Sequence, residues 1–198
     1  QADIINGGAG ADALIGGTGN DIYRFNTNDV VAGESITENA AEGTDVIAIV
    51  TTTDFTNMPA ASFDEVEEIL FDGLGQTATF TSGQISSETI ALKETSTGIS
   101  NLIINVGAGE TADFTTMTAG TFDSGSDTIT INGVAGAENI VGPNIVSIIL
   151  GNDGADNLTG GNQNDILNGG NHNDALDGND GADTLIGGSG DDIYIFNF

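Results

Sequence analysis

Residues 160–196 read GGNQNDILNGGNHNDALDGNDGADTLIGGSGDDIYIF. The stretch repeats every nine residues: glycine opens each unit, aspartate occupies position six, and a large residue, most often leucine, occupies position eight. A further unit starts at Gly151, so five consecutive units keep the same phase. A strict short period of this kind predicts a repeat architecture, in which each unit becomes stable by stacking on its neighbours.

The same period opens the chain. Units begin at Gly7 and Gly16, and Asp3 lies one period before Asp12, so we expect the chain to be a fragment of a longer array. Between residues 122 and 150 the period weakens. The sequence therefore predicts an N-terminal repeat block over 1–25, an irregular middle over 26–121, and a C-terminal block over 122–198 that is degenerate first and regular later.

The charge of the chain points to cations as partners. Asp and Glu number 30 against 2 for Lys and Arg, which gives a formal net charge of −28. Nucleic acid and anionic membranes require basic surface and are excluded as partners. No apolar run approaches the ~18 residues of a membrane helix, so no membrane insertion is expected. Cysteine is absent, which excludes disulfides and thiolate metal sites.

The units match the pattern G-G-x-G-x-D-x-U-x, and on these residues the chain resembles the RTX family, whose nonapeptides bind calcium in a parallel β-roll. The resemblance implies Ca²⁺ as the cofactor and a secreted, extracellular or cell-surface bacterial protein exported by type I secretion. The middle, with VEEILFDG over residues 66–73, is similar to the segments between RTX blocks in S-layer proteins and large adhesins.

The chemistry of the pattern agrees with this resemblance. Glycine at positions one, two and four permits positive φ, which residues with a Cβ resist, and the resulting tight turn aims its carbonyl oxygens at one point. Calcium takes six to eight oxygen ligands, and the aspartate at position six adds a charged one. One turn cannot fill this shell, so two must share an ion. Successive turns alternate between two edges of a roll, which pairs the loops at 151, 169 and 187 on one edge and those at 160 and 178 on the other. Asp3 should share an edge with the loop over 16–21.

The predicted metal site therefore consists of the position-six aspartates, the turn glycines and two further loop aspartates. The aspartates at position six are Asp3, Asp12, Asp21, Asp156, Asp165, Asp174, Asp183 and Asp192, and those at position three are Asp153 and Asp180. The N-terminal glycines are Gly7, Gly8, Gly10, Gly16, Gly17 and Gly19. The C-terminal glycines are Gly151, Gly154, Gly160, Gly161, Gly169, Gly170, Gly178, Gly181, Gly187, Gly188 and Gly190.

The fold class predicted from these patterns is all-β, with parallel β-roll or β-solenoid blocks at both ends. The middle contains short strand patterns at 45–50, 66–71, 77–81, 89–92 and 102–106, separated by Gly, Asn and Asp. These indicate an irregular β-solenoid or a β-sandwich-like region. Tyr23 and Phe25 end one block and Tyr194 and Phe196 end the other, so we expect aromatic caps on the apolar stack.

The function predicted is that of a calcium-binding structural segment of a secreted surface protein, an S-layer protein or adhesin, that folds on extracellular calcium. Its partners would be calcium ions and either a second copy of the chain, in a lattice or homo-oligomer, or cell-surface polysaccharide. An enzyme is not expected, because His172 is the sole histidine and neither H-E-x-x-H nor G-x-S-x-G occurs.

Two alternatives remain open at this point. The chain could be the C-terminal β-roll of a type I-secreted protease or lipase whose catalytic domain lies outside it. It could also be an ice-binding roll, which needs regular ranks of Thr and Asn in the loops. Those ranks are broken by alanines such as Ala9 and Ala155.

Overall fold

The backbone consists almost entirely of short strands. The computed structural model describes residues 1–38, 43–122 and 126–196. The N-terminal strands are β1 (Ile4–Ile5), β2 (Ala13–Gly17), β3 (Ile22–Phe25) and β4 (Ser35–Glu38). The middle strands are β5 (Val46–Ile49), β6 (Thr53–Asp54), β7 (Glu68–Phe71), β8 (Thr77–Thr81), β9 (Ala91–Glu94), β10 (Asn101–Asn105) and β11 (Thr111–Asp113). The C-terminal strands are β12 (Thr128–Asn132), β13 (Asn139–Val141), β14 (Ser147–Asp153), β15 (Asn157–Thr159), β16 (Ile166–Asn171), β17 (Ala175–Asp177), β18 (Thr184–Ser189) and β19 (Ile193–Ile195). Among the described residues, helix is confined to a 3₁₀ turn at Ala60–Ser62 and to α1 (Ser82–Ile85).

The strands stack as a parallel β-solenoid of about eight turns. One sheet has the order β1-β3-β5-β7-β9, a second runs from β18 to β6 through the even-numbered strands, and a third has the order β11-β13-β15-β17-β19. A small fourth sheet pairs β2 with β4. Every hydrogen-bonded neighbour is therefore a strand from the preceding or following turn. This arrangement confirms the all-β, parallel solenoid class predicted from the sequence.

The solenoid has two sides at its ends and three in its middle. At the ends each turn consists of two nonapeptides, so that Ile4 pairs with Ile22 and Ile148 pairs with Ile166. In the middle the turns are longer and unequal, because β5 pairs with β7 and β11 pairs with β13 across wider intervals of sequence. The longer turns accommodate a third side, so that β9, β10 and β11 follow one another in three different sheets.

The core changes its residue type with this change in cross-section. A single leucine per strand fills the narrow C-terminal roll, where Leu158, Leu167 and Leu176 are buried. The wider middle is filled by aromatic rings, and Phe55 stacks on Phe80 with ring centroids 4.7 Å apart. All of these side chains belong to one continuous hydrophobic cluster. Of the two architectures expected for the middle, the structure shows the solenoid and not the sandwich.

The prediction of aromatic caps is wrong at the N-terminal block. Tyr23 and Phe25 are fully buried inside the continuous core, because the solenoid extends past them into β5 and the 3₁₀ turn. Phe25 packs edge to face on Phe55. At the other end Tyr194 and Phe196 lie on the last turn and are 44% and 69% exposed. Tyr194 pairs there with the fully buried Leu176, so a cap at this end stays a prediction.

The outer surface of the seven-stranded sheet is uncharged along the middle of its strands from β8 to β18. The strand register aligns the outward-facing residues in two rows, which we call the uncharged rows. One row contains Thr79, Ile103, Thr130, Ile148, Ile166 and Thr184, and the other contains Thr81, Asn105, Asn132, Leu150, Asn168 and Ile186. Asp54, which pairs with Thr79 from β6, ends the first row. In a chain of net charge −28 such a face is distinctive. No helix among the described residues is long and apolar enough to cross a membrane.

Candidate metal centre

The glycine-rich loops stack along two edges of the roll, two units apart. On one edge the Gly136 amide donates to the Asp153 carbonyl at 2.7 Å, and the Gly154 amide donates to the Asn171 carbonyl at 3.2 Å. On the other edge the Gly142 amide donates to the Thr159 carbonyl at 2.8 Å. These bonds confirm the predicted alternation, which places the loops that begin at 151 and 169 on one edge and the loop at 160 on the other.

The position-six aspartates form ladders along these edges. In four pairs, Oδ1 of an aspartate accepts the backbone amide of the aspartate two repeats earlier. The Asp156 amide donates to Oδ1 of Asp174 at 2.9 Å, and the Asp174 amide donates to Oδ1 of Asp192 at 3.0 Å. The second edge has the bond from Asp165 to Asp183 at 2.9 Å, and the N-terminal block has the bond from Asp3 to Asp21 at 2.7 Å. The fold thus brings the predicted aspartates together in rows.

The second oxygen of several of these carboxylates is buried without a hydrogen-bond donor. This is true of Oδ2 in Asp12, Asp21, Asp156 and Asp174. Asp21, Asp156 and Asp174 are at most 2% exposed. A buried carboxylate oxygen without a donor is costly, and a cation coordinated by it removes that cost. A calcium ion, which prefers carboxylate and carbonyl oxygens, therefore fits these loops.

In each regular repeat, Oδ2 of the position-six aspartate lies over the first glycine of the same repeat. A Cβ on Gly151 would lie 2.5 Å from Oδ2 of Asp156, and one on Gly160 would lie 2.8 Å from Oδ2 of Asp165. Position one therefore excludes side chains because the carboxylate occupies that space. The same relation of first glycine to position-six oxygen recurs in every regular repeat, at Gly7, Gly16, Gly151, Gly160, Gly169, Gly178 and Gly187.

Glycine at position one does not use the positive φ that it permits. None of those seven glycines has positive φ. Positive φ occurs at some of the glycines in positions two and four, as in Gly170 at 106° and Gly181 at 139°, but not at Gly154 or Gly161. Asn152, His172 and Asn179 replace glycine at these positions and keep a positive φ, a geometry that Asn tolerates better than most residues.

Burial disfavours the charged form of the ladder carboxyls. It raises the pKa of Asp156 to about 6; the negative charges of Glu138 and Asp174 add to the rise, and the Glu138 amide opposes it. Burial also raises the pKa of Asp165 and of Asp174. These carboxylates are thus held in an environment that disfavours their charge until a cation compensates it.

Two of the predicted loop aspartates lie outside the ladders. Asp153 and Asp180, at position three, are exposed at the tips of their loops. Asp153 Oδ1 accepts a hydrogen bond from the Asn171 side chain at 2.5 Å, which links one loop to the next on the same edge. His172, also exposed, has its Nδ1 2.9 Å from the carbonyl oxygen of Asn171.

The structure adds acids that were not among the predicted ligands. The Asp12 amide donates to Oε2 of Glu34 at 3.1 Å, and the Asp45 amide donates to Oε2 of Glu67 at 2.7 Å. The Ser100 amide donates to Oδ1 of Asp127 at 2.8 Å. Each of these acceptors directly precedes a strand in the sequence, which is the signal that could have found them. The ladders therefore continue into the middle with a longer step.

Comparison with known proteins agrees with the repeats at the two ends. The family model of the RTX calcium-binding nonapeptide repeat (4 copies) matches residues 1–24, 150–185 and 169–197. The comparisons with curated proteins and with solved structures found no match. The two ends of the chain, where glycine loops stack beside rows of buried aspartates, are thus similar to RTX calcium-binding nonapeptide repeats.

Proposed function

We propose that this chain is a calcium-folded structural segment of a secreted bacterial surface protein, such as an S-layer protein or an adhesin. The observation that carries the calcium part is the set of buried Oδ2 atoms without donors in Asp12, Asp21, Asp156 and Asp174. The burial of these atoms becomes favourable once a cation fills the loops. Folding and calcium binding are then one equilibrium.

The concentration of calcium outside cells suits such a switch. Extracellular calcium modules bind with Kd of about 10⁻⁴–10⁻³ M. Sites in this range are empty in the cytosol and filled after export, so the acidic chain stays expanded until it leaves the cell. The net charge of −28 supplies the repulsion that keeps it expanded.

A structural role is supported by the shape and the surface of the solenoid. A parallel solenoid is a rigid spacer whose length grows with the number of turns. Its uncharged rows form the face on which a second copy meets the least electrostatic repulsion. We therefore propose self-association through this face as the partner interaction, in preference to polysaccharide.

A calcium titration tests the proposal. Circular dichroism follows folding, and sedimentation velocity follows association, with magnesium as the control ion because Mg²⁺ demands octahedral geometry and keeps its waters. We expect calcium alone to convert an expanded chain into a compact β-protein that associates. A chain equally compact in chelator would contradict the calcium proposal.

A variant pair separates association from folding. Ile166→Asp places a charge in the uncharged rows, where Ile166 is 41% exposed, and should abolish association without preventing calcium-induced folding. Ile15→Asp is the matched control, because Ile15 is 67% exposed on β2, outside the seven-stranded sheet. Calcium-induced folding without association in the wild type would favour the enzyme-tail alternative.

A further inference from the structure

Three oxygen atoms from different parts of the N-terminal half converge over Gly16. A Cβ placed on this glycine would lie 2.6 Å from Oδ2 of Asp21 and 2.5 Å from the Tyr23 hydroxyl, and Oε1 of Glu38 is closer still. The Tyr23 hydroxyl donates a hydrogen bond to that same oxygen of Glu38. Asp45 completes the group, since Asp21, Glu38 and Asp45 each offer a ligand oxygen within 4.8 Å of the others.

This cluster contains a buried oxygen that requires a cation. Asp21 is fully buried, and its Oδ1 accepts the Asp3 amide at 2.7 Å. Its Oδ2, which points to the space over Gly16, has no hydrogen-bond donor. Asp45 is 3% exposed, and its Oδ1 accepts the Asp21 amide at 2.8 Å.

The basic side chains of the protein do not neutralise this group. The chain has two basic side chains. Arg24 pairs with Asp72 at 2.7 Å, and Lys93 pairs with Glu68 at 2.5 Å. Three carboxylates in one partly buried cluster repel one another strongly unless an ion is bound among them.

The loop that stacks on the loop over 16–21 belongs to a degenerate repeat. The Thr44 amide donates to Oδ1 of Asn20 at 3.3 Å, and Asp45 takes the place that the position-six aspartate has in the regular repeats. In the sequence, Ala40 and Ala41 stand where the pattern has paired glycines. Glu38, the last residue of β4, pairs with Gly17 of β2 beyond a shift of register that follows Ile15. Its side chain thus reaches the loop over 16–21 from the following turn, the side on which Thr44 and Asp45 also contact this loop.

We propose that Asp21, Glu38 and Asp45 form a divalent or trivalent cation site in which the Glu38 carboxylate adds a third charged ligand to the aspartates of the two stacked loops. The proposal rests on the calcium function proposed above and assigns Glu38 and Asp45, outside the regular repeats, as ligands. Tyr23 is a positioning residue that holds Glu38 through its hydroxyl. Because affinity in oxygen-ligand sites rises with the number of charged ligands, this site binds more tightly than the loops with one aspartate each.

Terbium luminescence provides a direct test, because Tb³⁺ takes calcium-like oxygen sites and emits when a neighbouring tyrosine is excited. The protein has two tyrosines and no tryptophan. In a Tyr194→Phe background, Tyr23 is the sole sensor, and it lies in contact with the proposed ligand Glu38. We expect tyrosine-sensitised emission that calcium displaces.

Glu38→Gln in this background should raise the Kd for terbium at least about tenfold, the lower end of what loss of a supporting carboxylate costs a metal site. Asp45→Asn should do the same. Asp64→Asn is the matched control: it removes one negative charge from an exposed position and should leave the Kd unchanged. Circular dichroism in saturating calcium verifies that each variant is folded.

The outcomes separate this inference from the general function. Sensitised emission whose Kd is the same in wild type and in Glu38→Gln would overturn the site, and so would a Tyr194→Phe protein that folds with calcium but gives no emission. In both cases the calcium function of the repeats stands. If the wild type neither folds with calcium nor binds terbium, the proposed function itself is wrong.

Discussion

Replacing Asp156 by asparagine is expected to stabilise the calcium-free fold and to weaken the calcium-loaded one. Asp156 is 1% exposed, and its Oδ2 lacks a donor. Burial raises its pKa from 3.8 to about 6. A pKa difference of about two corresponds to ~3 kcal/mol, which is the upper limit of what the ionised group costs the calcium-free fold at pH 7. Asparagine keeps the Oδ1 that accepts the Glu138 amide at 2.8 Å and removes the charge.

The sign of the pH dependence follows from the direction of this shift. Because the folded pKa lies above the unfolded one, the calcium-free fold binds the proton more strongly and loses stability as pH rises from about 4 to about 6. In chelator the wild type should therefore gain β-structure as the pH falls, and Asp156→Asn should reach half-folding at a higher pH. Below about pH 4 the wild-type carboxyl is protonated in both the folded and the unfolded chain, and the two proteins converge.

Far-ultraviolet circular dichroism measures both effects, in a pH titration with EGTA and in a calcium titration at pH 7. In calcium the order reverses, because the variant lacks a charged ligand and needs more calcium to fold. Asp113→Asn is the control. The Thr115 amide and hydroxyl lower the pKa of Asp113, so removing its charge should shift the pH midpoint in EGTA downward. A pH midpoint for Asp156→Asn equal to or below that of the wild type would refute the reasoning.

Three further predictions follow from the same geometry. Gly151→Ala should raise the calcium concentration at which half of the protein is folded, because the new Cβ would lie 2.5 Å from the Asp156 carboxylate, although the φ of Gly151 is ordinary. Gly83→Ala is the control: a Cβ there meets open space and should leave the calcium titration unchanged. Leu167 is buried between Ile149 and Leu185, so Leu167→Ala should lower the free energy of unfolding in calcium by about 2–5 kcal/mol, measured by urea titration. A loss below ~1 kcal/mol would show that the stacked leucines contribute little to stability. Calcium affinity measured by isothermal titration calorimetry should fall as the pH drops below about 6, because protons compete for Asp156. An affinity that is the same at pH 7 and at pH 5 would contradict this.

Some features of the middle were predictable, and others depended on contacts distant in the chain. The strand patterns at 66–71, 77–81 and 102–106 correspond to β7, β8 and β10 within a few residues. Their assignment to three sides was not predictable, because the turns of the middle differ in length and no fixed period links one stacking partner to the next. With unequal loops, the register is decided by which side chains fill the core, among them the stacked rings of Phe55 and Phe80.

The candidate site likewise combines features that the sequence predicts with features that only the structure shows. The sequence by itself determined the aspartate ladders of the regular repeats, such as Asp156 with Asp174, because a constant step of two nonapeptides makes each stacking contact a repeat of a local pattern. Only the tertiary structure showed that the first glycine of each repeat makes room for a carboxylate, and that Glu38 reaches the loop of Asp21. Both depend on where side chains point once neighbouring turns are stacked, and that direction is set by packing across turns and not by the spacing of residues along one of them.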